Sequence, residues 1–97
     1  MPNKAGEIES RIRQLLIELL FLEDISPEDI AVDAPLAETI GLDSVAVFQV
    51  AAGVEEEYDF TFEDEEIDVE RFGTVAGIAE VVREKLAAEK ESRGEAG

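Results

Sequence analysis

The sequence predicts an all-α domain: three main helices, one or two short ones and a long first loop. Three observations predict it. Apolar residues recur at helical spacing in three separate stretches. No two alternating runs are joined by a hairpin turn, so no sheet can pair. The chain is 97 residues with 45% hydrophobic composition, which suits one small core and one domain over residues 1–97. A chain of this length buries only about 60–70% of the surface it exposes unfolded, so the core must be small.

The first periodic segment runs from about Glu7 to Leu22. Ile8, Ile12, Leu15, Leu16 and Leu19 share one helical face, while Glu9, Arg11, Arg13 and Glu18 fall largely elsewhere. Residues 23–43 are punctuated. Ser26-Pro27-Glu28-Asp29 reads as a cap, a proline at the first helical position and an acid three after the cap, enough for one turn. Asp33, Pro35 and Gly41 break anything longer, and Leu36, Ile40 and Leu42 are expected to pin the loop to the core. A connection this long in a small domain tends to be functional.

The second helix starts at Asp43-Ser44. Val47, Val50, Ala51, Val54 and Tyr58 form its core stripe. A second stripe, Val45, Phe48, Ala52, Glu55, Glu56 and Asp59, begins apolar and ends acidic; alternatively Phe48 only widens the buried face. Glu55-Glu56-Glu57 crowd the negative end of the helix dipole, where acids cost about a few tenths of a kcal/mol each. Tyr58, Phe60 and Phe62 alternate without a partner strand and read as an extended loop burying aromatics. Asp68 to Phe72 can form one short turn stopped by Gly73. Thr74 caps the last helix, with Val75, Ile78, Ala79, Val82 and Leu86 inward. The ordered core is expected over 7–87, with residues 88–97 a flexible polar tail. Either relative direction of the first two helices is compatible with the pattern.

Composition removes whole classes of chemistry. There is no cysteine and no histidine, so a thiolate nucleophile, a cysteine-ligated zinc and any histidine-based triad or metal site are excluded. No apolar run approaches the roughly 20 residues that span a bilayer, and residues 1–14 lack a signal-peptide core. A cytoplasmic monomer is expected. The net charge is −17, concentrated in residues 23–72, which hold 17 acids and a single base, Arg71. Nucleic acid and anionic membranes are poor partners for that surface; the acidic block either faces basic protein partners or serves only solvation. Glu63-Asp64-Glu65-Glu66 lacks the spacing of a calcium loop, so no metal site is assigned.

Asp-Ser before an apolar periodic run is, taken alone, a helix cap. Its surroundings change the reading. Leu36, Ile40-Gly41-Leu42-Asp43-Ser44-Val45, then Val54-Glu55-Glu56-Glu57-Tyr58, Phe62, and Thr74-Val75 with Ile78 together resemble the acyl carrier proteins over about residues 8–86. That resemblance implies a four-helix bundle with the turn near Asp68–Phe72 as a short third helix. It implies a carrier, not an enzyme. Ser44 would bear a covalent 4′-phosphopantetheine, donated by coenzyme A through a magnesium-dependent phosphopantetheinyl transferase, and the arm's thiol would carry acyl groups as thioesters.

The resemblance also makes the helix after Ser44 a docking surface for basic grooves of an acyltransferase, a ketosynthase or an acyl or aminoacyl ligase. Asp43, Val45, Phe48, Gln49, Glu55, Glu56 and Asp59 are its candidate residues. Two departures stand out. Ala46 and Gln49 occupy positions where family members often carry acids, and the stretch Glu63 to Gly73 looks about two residues longer than in fatty acid carriers. Both suggest a discrete carrier of polyketide or other specialised metabolism. The alternatives are a housekeeping fatty acid carrier and an unmodified helical adaptor in which Ser44 only caps its helix. Leu36, Phe62, Ile67, Val69 and Ile78 could line a cargo pocket or simply pack the core.

Overall fold

The computed structural model describes residues 4–96, with side chains from 6 to 89. It is all-helical there. Helix α1 spans Lys4–Leu19, α2 Leu36–Thr39, α3 Ser44–Tyr58 and α4 Val75–Ala96, with 3₁₀ turns at Pro27–Asp29, Asp64–Glu66 and Arg71–Gly73. The fold class agrees with the sequence reading, but the short elements shift. The four-residue α2 lies inside the first loop, which reads as irregular from sequence. The turn expected at Asp68–Phe72 is closed by the Phe72 N–H donating to the Asp68 carbonyl and continues as the 3₁₀ turn. Helix α4 runs past residue 87 to Ala96. Residues 88–96 are rich in Ala, Glu, Lys and Arg, which favour helix even without an apolar face to bury.

Helix α1 packs against both α3 and α4. The α1–α3 pair is antiparallel. Arg11 lies opposite Glu57, and Leu19, further along α1, lies against Gly53, further back along α3. A side chain at Gly53 would collide with Leu19, so its absence lets the two helices approach. The buried stripes are those the periodicity gives: Ile12, Leu15 and Leu16 from α1; Val47, Val50, Ala51 and Val54 from α3; Val75, Ile78, Ala79 and Val82 from α4, joined by Val81.

Helices alone do not close this core. Ile30 and Leu36 are fully buried and Leu42 nearly so, while Ile25, Val32 and Ile40 pack against its edge. On the other side Phe60, Phe62 and Phe72 are buried in a chain of edge-to-face contacts, 5.0 Å from Phe60 to Phe62 and 5.6 Å from Phe62 to Phe72. No polar or charged side chain is buried among the described residues.

The cationic side chains hold these pieces together. Arg11 grips Glu57 of α3 with two bonds of 2.8 Å, which raises the guanidinium pKa and lowers that of the carboxyl. Arg13 donates to the Ile30 carbonyl at 2.8 Å, pinning the first loop. Arg83 ties α4 to Glu9 of α1 at 2.7 Å. Arg71 spans Glu80 and Glu84, and Lys85 meets Glu66 at 3.0 Å. The Glu66 carboxyl is held below its usual range first by the Glu63 N–H and then by Lys85. Exposed pairs contribute about 0–1 kcal/mol each, so they set geometry more than stability.

Loop and helix also join through the backbone. The Ala76 N–H donates to the Val32 carbonyl at 2.8 Å, and the Gly77 N–H to the Thr74 hydroxyl at 3.0 Å, the expected cap. Gly77 is there for space: a Cβ would run into the backbone carbonyl of Arg71, whereas one at Gly73 meets nothing. Gly77→Ala is therefore expected to cost about 1–3 kcal/mol, and Gly73→Ala to stay within about 0.5 kcal/mol of the parent. Urea midpoints of the two variants check this.

Candidate functional site

The site is the turn into α3. Leu36, buried in α2, accepts through its carbonyl from the N–H groups of both Ile40 and Leu42, at 2.9 and 3.2 Å. The chain reverses at Gly41, whose φ of 72° lies in the left-handed region that glycine tolerates best. Leu42 then anchors the turn in the core and Asp43 follows in extended conformation. The Asp43 carboxylate accepts from the Ala46 N–H at 2.8 Å, and its carbonyl from the Val47 N–H at 3.0 Å.

Asp43 is thus the N-cap, and Ser44 is the first residue of the helix. The reading of Ser44 as a cap is corrected on this point: the acid before it takes that task. Ser44 is exposed and its hydroxyl meets no partner among the described residues. The backbone N–H groups of Ser44 and Val45 likewise have no acceptor there, since Asp43 takes the N–H groups of Ala46 and Val47. A free hydroxyl, two free N–H groups and the positive end of a helix dipole fit a phosphodiester at this position.

The α3 surface below Ser44 has two parts. Near the serine it is apolar: Val45 is 72% and Phe48 56% exposed, Gln49 is exposed and Ala46 half-buried. Phe48 therefore belongs to the outer stripe and does not widen the core. Further along, the acids separate by role. Glu56 is exposed with no partner among the described residues. Glu57 faces α1 and holds Arg11. Glu55 is half-buried, and its carboxylate accepts the Phe62 N–H at 2.7 Å, fastening the aromatic loop. Its carbonyl takes the N–H groups of Asp59 and Phe60. Asp59 is exposed at φ 61°, a left-handed helix stop that aspartate tolerates better than most residues. Two of the three acids at the helix end thus have structural partners that local sequence rules do not show.

The five residues considered as a cargo lining do not share one environment. Leu36 and Ile78 are fully buried and Phe62 nearly so, Ile67 is half-buried, and Val69 is exposed. Sequence reasoning missed Phe21, which stands 85% exposed at φ 55° just after α1. Periodicity extends the helix over it, and no residue nearby marks the turn. Among the described residues no group of three or more potential ligand side chains could hold a metal ion, and no helix is long and apolar enough to cross a membrane.

The capping geometry gives a direct expectation. Asp43→Ala should cost about 1 kcal/mol. Ser44→Ala should change stability by no more than about 0.5 kcal/mol, because no bond of its hydroxyl is lost. Thermal melts of the unmodified variants measure both.

Residues 10–82 match the family described as a phosphopantetheine attachment site. An acyl carrier protein from Streptomyces coelicolor is 36% identical over 93 residues, covering 91% of this chain and 94% of that protein. One from Desulforapulum autotrophicum is 31% identical, covering 80% and 96%. The solution structure of a holo acyl carrier protein from Nitrosomonas europaea superposes with a TM-score of 0.70 at 30% identity, covering 81% of this chain and 95% of that one. The helical order, the open serine and these likenesses converge: the chain belongs to the acyl carrier protein family, non-catalytic carriers of a covalently attached phosphopantetheine.

Proposed function

We propose that Ser44 is the attachment residue, and that the chain is a discrete carrier passing acyl or aminoacyl groups between enzymes of polyketide or other specialised metabolism. The observation that carries the attachment is the exposed, unbonded Ser44 hydroxyl on the first turn of α3, beside two free N–H groups. In the transfer, the Ser44 oxygen forms the new bond to phosphorus and the bond to the 3′,5′-ADP part of coenzyme A breaks. The serine proton must leave to a base of the transferase, since the chain has no histidine to take it. Once bound, the arm supplies the thiol on which cargo rides as a thioester. The helix N-terminus would hold the phosphate, and Asp43 keeps that helix end capped without engaging the hydroxyl.

Members of the family work with a phosphopantetheinyl transferase and with biosynthetic enzymes. The docking surface we assign here is Asp43, Val45, Phe48, Gln49 and Glu56 on the open face of α3, with Asp59 at its far end. Glu55 contributes mainly by positioning the aromatic loop. An apolar upper surface, with Ala46 and Gln49 where acids are frequent, supports a partner set different from that of a highly charged housekeeping carrier. Charge-guided encounter with easy release suits a shuttle.

Incubation with coenzyme A, magnesium and a promiscuous transferase should add one phosphopantetheine by intact mass, and Ser44→Ala should add none. A Ser44→Ala variant that still gains the mass would move the attachment elsewhere. With the holo chain, Glu56→Lys should lower kcat/KM of a cognate acyltransferase or ketosynthase about threefold or more at low salt and flatten its salt dependence. Phe48→Ala should weaken transfer about tenfold with little change in melting temperature. A large thermal loss with unchanged kinetics would return Phe48 to the core.

A further inference from the structure

Phe21 is the most exposed large apolar side chain described, at 85%. It is also the residue on which the end of α1 turns. The Leu22 N–H reaches back to the Ile17 carbonyl at 3.0 Å, the six-to-one bond that closes a helix through one left-handed residue. That residue is Phe21, at φ 55°. Glycine or asparagine suits the position; a bulky aromatic is strained there. The turn sends its neighbours inward, since Leu20 packs on the core and Leu22 is half-buried. Folding therefore gains nothing from the ring and is opposed by its backbone.

We propose that Phe21 is a second docking residue, separate from the α3 face, which enters an apolar socket with a basic rim on an enzyme that acts on the holo carrier. The proposal rests on the carrier reading above. The rim follows from charge. Glu23 and Asp24 are exposed beside Phe21, and no lysine or arginine occurs between Arg13 and Arg71. A second copy would set one charge of −17 against another, and an anionic bilayer would repel it as well. The separation follows from geometry. Leu19 lies against Gly53, and Phe48 is roughly 140° around α3 from Gly53. Because α1 and α3 are antiparallel, Phe21 lies beyond Leu19 toward the Ser44 end. The partner would grip the carrier on two faces of the end that bears the arm, fixing its orientation as well as its affinity.

The test compares wild type, Phe21→Gly and Phe48→Ala, each first converted to the holo form and verified by mass. Equal loading separates a loss at the socket from a loss of attachment at Ser44. Purified acyltransferases, ketosynthases and acyl ligases are assayed on the wild-type holo chain, and the fastest serves as probe. Phe21→Gly should raise the melting temperature by about 4 °C or more. It should also raise KM for the carrier about tenfold with kcat unchanged. Glu23→Lys with Asp24→Lys should flatten the salt dependence of the same step. Unchanged KM would overturn the proposal. So would a fall in melting temperature, which would make the ring structural. A wild-type dimer that Phe21→Gly dissolves would replace the enzyme by a second copy. Flotation with phosphatidylglycerol vesicles that Phe21→Gly abolishes would replace it by a lipid surface.

Discussion

Helices α1, α3 and α4 do not close this core by themselves, and the rest of the structure answers that constraint. The gap left by α1, α3 and α4 is filled from both connections: Ile30, Leu36 and Leu42 on one side, Phe60, Phe62 and Phe72 on the other. Burying these six side chains immobilises long connections that would otherwise be loose. The turn at Gly41 is anchored on either side by Leu36 and Leu42 in the core. The exposed placement of Ser44 is thus a consequence of packing at Leu36 and Leu42, buried residues of the turn that precedes it.

The polar groups follow a matching economy. With no buried polar side chain among the described residues, no side-chain hydrogen bond inside the core adds directional information on how the connections lie. That information sits at the rim, in bonds from scarce cations and a few carboxylates to backbone. Arg13 and Glu55 each fasten a loop by its main chain, one through the Ile30 carbonyl and the other through the Phe62 N–H. Acids without such partners among the described residues, Glu56 among them, face solvent.

Much of this was legible in the sequence, for identifiable reasons. The apolar stripes of α1, α3 and α4 repeat at helical period, and the Ser26 and Thr74 caps carry local signatures, so each appears where expected. The helical class and the exposed Ser44 followed from the same patterns. What did not follow was long-range. Glu55-Glu56-Glu57 look alike in sequence, yet one faces a loop, one solvent and one Arg11, and only the fold separates them. Asp43 and Ser44 are both good caps, and which one capped depended on where Gly41 ended the preceding turn. Phe21 was invisible because a left-handed aromatic contradicts local preference, and helical periodicity runs straight through it.

The placement of the cations has a consequence for how the protein meets proteases. Enzymes that cut after lysine or arginine find no recognition residue from Gln14 to Glu70. The first loop, Ser44, the whole outer face of α3 and the second connection as far as Glu70 lie inside that stretch. Partial opening of the first connection would expose backbone without exposing a cleavage point for such a protease, whereas the second connection carries one at Arg71. Tryptic digestion leaves that stretch as a single fragment, with Ser44 and the outer face of α3 together.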